Sequence, residues 1–407
     1  MTLARLSVQG GLAGMVAGAL LGVATLVEGL LAASVAEAAD AGIAGGALRV
    51  PWAANVVEPD IEFKSGLPSA FAPWAKPYCK GQIKVLVIAG AGSRGEVAEL
   101  AGRSSVDARF VAADGPAGVA RLKGALEDDS LDVIVMNAAW DLLGPEAEGL
   151  ARKRVGEGVG LVVISPRRGA PAAAVAAEAL PEGDAAGTGG VCEWQRSRSH
   201  FLTTGFPFEV MRTHVTPHAV LKGRVLAEGV TDGARRPLIV AGALGKGRVV
   251  CLNYGGADMG GGLAPAALAR DGGAGAPGFA WQEYAWSLVI RCIVWAAGRE
   301  GEVLIHQLGV ADPAAPALSV RLSNSGGQKT LAFDVTVRDA LSAPVSRKRV
   351  EMTVGPGMDE VAIPLERGAG QGGRRFVDLI VRSRGEVVNW GSAVFVAPRF
   401  EGAGDAE

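Results

Sequence analysis

The chain has 407 residues, 49% of them apolar and 20% charged, with a formal net charge of −2 and 59 glycines. That length suggests two or three domains, the apolar content excludes wholesale disorder, and the near-neutral balance leaves no basic footprint for nucleic acid. Glycine at about twice its usual share, with no G-X-Y period, points to loops and tight turns and not to collagen.

The amino terminus carries an export pattern. Arg5 is the only charge ahead of residues 6–27, which carry none, and Ala36, Glu37 and Ala38 supply an A-x-A cleavage site. The uncharged run of 22 residues is also long enough to span a bilayer. Residues 1–39 are therefore expected to be a signal peptide or an uncleaved signal anchor, and the remainder periplasmic or extracellular. No cysteine precedes Cys79, which rules out a lipidated cysteine, and there is no twin arginine. Membrane contact is expected only through an uncleaved residues 6–27. Cys79, Cys192, Cys251 and Cys292 could form up to two disulfides, in any of three connectivities, or serve as small buried apolar groups. None has metal-ligand spacing, so no metal is expected.

Residues 40–82 hold Pro51, Pro59, Pro68, Pro73 and Pro77 and read as an extended arm lying on the next domain. From Ile83 strands and helices alternate: strands at 83–89, 108–113, 132–136 and 160–164, helices at 96–101, 117–126 and 145–157. Strands apolar on both faces and separated by helices predict an α/β domain over 83–300, a flavodoxin-like, doubly wound, mostly parallel sheet. Residues 166–199 read as an insertion loop. Strands follow at 222–228, 237–241 and 248–253, the last two joined as a hairpin through Leu244, Gly245, Lys246 and Gly247. A Gly-rich loop over 255–278 leads to a helix at 281–297 that places Trp281, Tyr284, Leu288, Cys292 and Trp295 on one face, as core packing. Beyond Gly301 the period becomes alternating, and residues 312–400 read as an all-β immunoglobulin- or fibronectin-like sandwich. Such a module usually binds, spaces or props a neighbour.

Gly90, Gly92 and Gly95 stand in a G-x-G-x-x-G turn between a strand and a helix, with Asp114 ending the second strand where a ribose-binding acid falls. Glycines there would let backbone N–H groups approach a pyrophosphate. The competing reading is a plain tight turn in a glycine-rich, exported chain, and no cofactor is expected.

A wider resemblance rests on the strand at 83–89, the stretch Asp132-Val-Ile-Val-Met, residues 155–164, Ser199-His200-Phe-Leu-Thr-Thr-Gly205, Pro237-Leu-Ile-Val and Gly245-Lys-Gly-Arg-Val-Val. These resemble the class I glutamine amidotransferase-like superfamily, in particular its non-classical, trehalose-utilisation-like group, over about residues 83–298. The resemblance implies an α/β domain sometimes followed by a sandwich. The family's nucleophilic cysteine would fall at Ile164-Ser165-Pro166-Arg167, where no cysteine stands. None of His200, His214, His218 and His306 has an acid two residues on. A thiolate needs a base beside it, so glutaminase chemistry is not expected. Ser165 could be an alternative nucleophile with His200, although Pro166 removes the N–H an oxyanion hole would use. His214 and His218, at i and i+4 with Pro217 between them, read as turn histidines.

In a parallel sheet ligands gather beyond the carboxyl ends of the strands. That rule collects Gly92, Ser93, Asn137, Trp140, Asp141, Ser165, Arg167, Arg168, His200, Asn253, Tyr254 and Asp258 on one rim, where tryptophan, acid and paired arginines suit a sugar or an anion. The expected function is non-catalytic: binding a small ligand, carbohydrate among the candidates, or a protein partner at the cell envelope. The alternative is an enzyme, either a dinucleotide-dependent oxidoreductase using Gly90–Gly95 or a hydrolase using the rim at Ser165 and His200.

Overall fold

The computed structural model describes residues 72–90, 93–112, 115–137, 144–164, 182–183, 191–214, 220–221, 223–231, 233–254, 262–264, 279–311, 316–339, 343–366 and 373–398. All of them belong to one compact unit, residues 55–407. The expected export signal lies outside them, and no described helix is long and apolar enough to cross a membrane.

The strands of the first half are β1 (Ile83–Ala89), β2 (Val106–Ala112), β3 (Val133–Asn137), β4 (Gly160–Ile164), β5 (Glu182–Gly183), β6 (Val191–Arg196), β7 (Arg212–His214), β8 (Val220–Leu221), β9 (Arg224–Thr231), β10 (Ala234–Leu244) and β11 (Gly247–Leu252). The helices are α1 (Arg94–Arg103), α2 (Gly115–Leu126), α3 (Gly144–Glu157) and α4 (Phe279–Ala296). Nine strands form one sheet in the order β2-β1-β3-β4-β11-β10-β9-β6-β7.

The expected flavodoxin-like, mostly parallel sheet is not what forms. Strands β2 to β11 in that order pair parallel, but β11-β10, β10-β9, β9-β6 and β6-β7 are antiparallel. The sheet is thus mixed, half parallel and half antiparallel, and across the described residues strands far outnumber the four α-helices. The cause is local. Gly245, at φ 57, closes a two-residue hairpin between β10 and β11, and a hairpin can only return the chain antiparallel, whereas a parallel return needs a crossover helix.

The stretch expected to be an insertion loop also supplies β6, whose alternating Cys192 and Trp194 are buried. The parallel strands are apolar on both faces because helices cover both. Val97 and Leu100 of α1 join α4 on one side, and Leu122, Leu126, Ala147, Ala151 and Val155 of α2 and α3 cover the other. Cys251 lies in the second cluster and Cys292 in the first, so the sheet separates them. All four cysteines are free thiols.

The second half is built from β12 (Val303–Val310), β13 (Ala317–Asn324), β14 (Lys329–Arg338), β15 (Pro344–Val354), β16 (Gly357–Pro364), β17 (Gly373–Ser383) and β18 (Glu386–Ala397). They form sheets β12-β13-β16 and β15-β14-β17-β18 around a core that includes Val320, Leu322, Phe333, Val377 and Leu379. This two-sheet sandwich fits an immunoglobulin-like arrangement.

The halves share one core. The outer face of β17 and β18 lies on α4: Tyr284 stacks on Phe376 at 5.4 Å between ring centroids, and Trp390 Nε1 donates to Ser287 Oγ at 2.9 Å. Asp378, buried at the same face, accepts from Arg338 Nε at 2.7 Å and Ser392 Oγ at 2.9 Å. Among the described residues no carboxylate pairs with the buried Arg291 of α4; it donates to the carbonyls of Phe201 and Trp390 and to Asn389 Oδ1, with its guanidinium over the rings of Phe201 and Trp390. The expected arm ties both halves, through bridges Ala75↔Ser104 and Tyr78↔Val387.

Candidate functional site

Of the expected rim, Ser93, Asn137, Asn253 and Tyr254 are described and do gather at the carboxyl edge of the parallel strands, all buried. Ser93, Asn253 and Tyr254 each bond within the chain. Ser93 precedes α1 and bonds the Glu96 carboxylate, which also accepts from the Leu263 N–H at 2.8 Å. Tyr254 Oη donates to the Leu263 carbonyl at 2.9 Å, and Asn253 Nδ2 donates to the Pro237 carbonyl at 2.9 Å. Burial pushes the Glu96 carboxyl up, against the pull of these hydrogen bonds. Gly90 and Gly95 flank the turn and are exposed. Gly92, Asp114, Trp140, Asp141, Ser165, Arg167, Arg168 and Asp258 lie outside the described residues, as does His218.

His200 stands apart from that group. Its ring meets Trp295 edge-on at 5.5 Å, and Trp295 belongs to the last turn of α4, where Ala296 abuts Gly160 at the start of β4. Arg248, at the start of β11, stacks on the same indole and pairs with Glu300 at 2.6 Å. His200 is therefore at the amino edge of the parallel strands, opposite Ser93 and Tyr254. A motif position cannot reveal which edge a side chain reaches once the chain has left the sheet.

Burial first, then Arg224 and Arg248, push the imidazole down from 6.5 to about 4. The folded protein thus keeps His200 neutral at pH values where the unfolded chain protonates it. Stability from this group is intact above pH 6.5 and falls as pH drops through 4. Melting temperatures of wild type and His200→Gln, measured from pH 7 to 4, are expected to converge or cross as the wild type loses more; parallel profiles would show that the imidazole does not couple to folding.

A different place has room for a ligand. A cleft of about 550 Å³ runs between the antiparallel half of the large sheet and the sandwich. One wall carries Glu193 and Arg196 of β6, Glu209 of the 3-10 turn Phe208–Val210, and Arg212 of β7; the other carries Leu308 and Gly309 of β12 with Ser392 and Val394 of β18. Trp194 and Phe206 line its depth, their rings stacked 5.6 Å apart. Glu193 Oε1 accepts from Arg212 Nη2 at 2.6 Å. Burial pushes the Glu209 carboxyl up, while Arg196 and Arg374 draw it down. Sequence reasoning missed this cleft because it read β6 as loop; the alternation of Cys192 and Trp194 is too short to mark a strand by itself. Among the described residues no three histidine, cysteine or acidic side chains are grouped to hold a metal.

No protein-family model matches the chain, and no curated protein matches it significantly. Similar solved structures include a β-glucuronidase from glycoside hydrolase family 2, at 9% identity over 24% of this chain and 11% of that one, TM-score 0.18. The Pseudomonas fluorescens alkylpurine DNA glycosylase AlkC matches at 20% identity over 28% of this chain and 39% of that one, TM-score 0.19. A ThuA-like protein from Parabacteroides merdae matches at 16% identity over 53% of this chain and 90% of that one, TM-score 0.31. The chain spans about a tenth of the length of the glucuronidase and well under half that of the glycosylase. At these scores none of the likenesses bears on fold or activity.

Proposed function

We propose that this is an exported, non-catalytic binding protein of the cell envelope, an amidotransferase-like domain without the family's nucleophile joined to a sandwich, whose ligand lies in the cleft between them. The observation that carries the reading is the cleft itself, at the junction of two modules where ligand sites commonly form, with charged groups on one wall and a wall free of charge opposite, carrying Leu308, Gly309, Ser392 and Val394. The uncharged run after Arg5 supports export. Against the dinucleotide alternative stands Glu96: its carboxylate occupies the first turn of α1, and a second negative charge there would repel a pyrophosphate.

Thermal shifts of the purified protein against neutral and acidic saccharides, peptides, nucleotides and NAD(H) test the reading. A rise that disappears in Arg212→Glu is expected from a cleft ligand. A rise with NAD(H) that Gly92→Val abolishes would overturn it in favour of a dinucleotide enzyme.

A further inference from the structure

Resting on that reading, we infer that the cleft takes an extended peptide, which adds a strand to the free edge of β18. β18 is the last strand of its sheet. Its outer edge is already used twice by backbone bonding from elsewhere in the chain. The arm reaches it at Val387, whose N–H donates to the Pro77 carbonyl at 2.7 Å and whose carbonyl accepts from the Cys79 N–H at 3.0 Å. The turn at Gly205 reaches it at Ser392, whose N–H donates to the Gly205 carbonyl at 2.7 Å.

Alternation then places the following backbone groups. Ser392 faces outward opposite Asp378, so Val394 opposite Phe376 and Val396 opposite Arg374 also turn their N–H and C=O away from β17. Among the described residues no partner takes them. Val394 lines the cleft and Val396 is 62% exposed.

The two edges of this sheet differ in composition. β15, the other edge, carries Pro344, Arg347, Lys348, Arg349 and Glu351, the charged and proline-bearing sequence that keeps an edge from pairing. From Trp390 to Pro398 no residue is charged. An unguarded edge beside the wall of β6 and β7 suits an inserted strand.

Strand alternation sets the ligand's chemistry. One set of its side chains would face Leu308 and favour apolar residues. The other would face Glu193, Arg196, Glu209 and Arg212 and favour charged or polar ones. Trp194 stacks with both Phe206 and Tyr254 and is 2% exposed, so it offers a saccharide little ring surface.

A phage-displayed library of random decapeptides, selected on the purified protein, tests this. Enriched peptides are expected to alternate apolar and polar residues. In Val394→Pro, which deletes an outward N–H and no ladder bond, synthetic versions should bind about tenfold more weakly. Val396→Lys, on an exposed side chain, should weaken them as well, and bound peptide should slow amide exchange at Val394 and Val396. Failure to enrich any peptide, or equal binding to both variants without that protection, would overturn the inference. If saccharides instead shift the melting temperature and Arg212→Glu abolishes the shift, the binding reading stands and the peptide proposal fails; if nothing binds, both fail.

Discussion

Arg291→Ala is expected to lower the stability of the protein by about 3–5 kcal/mol, the usual result of breaking a buried charged network. The Phe201 and Trp390 carbonyls lose this donor together, and Asn389 Oδ1 keeps only the Trp390 N–H at 2.8 Å. Arg291 is 1% exposed between α4 and β18, and an unsatisfied buried carbonyl costs about 1–3 kcal/mol. The guanidinium also lies 5.0 Å from the Phe201 ring and 4.8 Å from that of Trp390, contacts that disappear with it. Burial lowers its pKa to about 9, so it remains charged at neutral pH. Urea unfolding of wild type, Arg291→Ala and Arg291→Lys measures the effect; lysine should recover less than half, because one ammonium cannot span the acceptors that the planar fork reaches. A loss below about 1 kcal/mol for alanine would mean that the junction is held by its aromatic contacts instead.

Gly247→Ala should be comparably damaging, at about 3 kcal/mol or more, with a sharp fall in soluble yield. A Cβ there would lie 2.2 Å from the Val155 carbonyl oxygen and 2.5 Å from that of Val159. Both are backbone atoms at the end of α3, so β11 and the helix would have to separate. Gly233→Ala, at another hairpin with φ 79 and open space around it, should cost only about 1 kcal/mol from the left-handed backbone. Melting temperatures of the two variants side by side distinguish the causes. Equal, small losses would show that the end of α3 yields. The Gly-Lys-Gly-Arg stretch that marks the family resemblance is thereby explained by close approach, and needs no ligand.

Much of the element list was legible from the chain alone. The strands at 83–89, 132–136 and 160–164 are short runs dominated by Val, Ile and Leu, and the apolar positions of 331–338 and 376–382 announce strands. β6 was not legible, because six residues between glycine-rich stretches give too short a period to separate strand from loop. The site was less readable than the fold. Ser93, Asn137, Asn253 and Tyr254 lie where the strand-end rule put them, yet all four are buried, and Ser93, Asn253 Nδ2 and Tyr254 Oη bond within the chain. The cleft residues Glu193, Arg196, Glu209 and Arg212 carry no motif at all; they become neighbours only when β6 and the 3-10 turn come to face the sandwich.

By itself the sequence determined the absence of a cysteine at the turn after β4, the positions of most strands and helices, and the change of period beyond Gly301. These follow from local chemistry: charge, residue type and side-chain periodicity over a few residues. Only the tertiary structure decided that the sheet is half antiparallel, that His200 lies on the edge opposite Tyr254, that the sheet keeps Cys251 and Cys292 apart, and that β18 leaves its last residues open beside a cleft. Each of those depends on which distant segments pair, and pairing is chosen by the burial of whole faces and by backbone hydrogen bonding across the fold, quantities that no window of the chain contains.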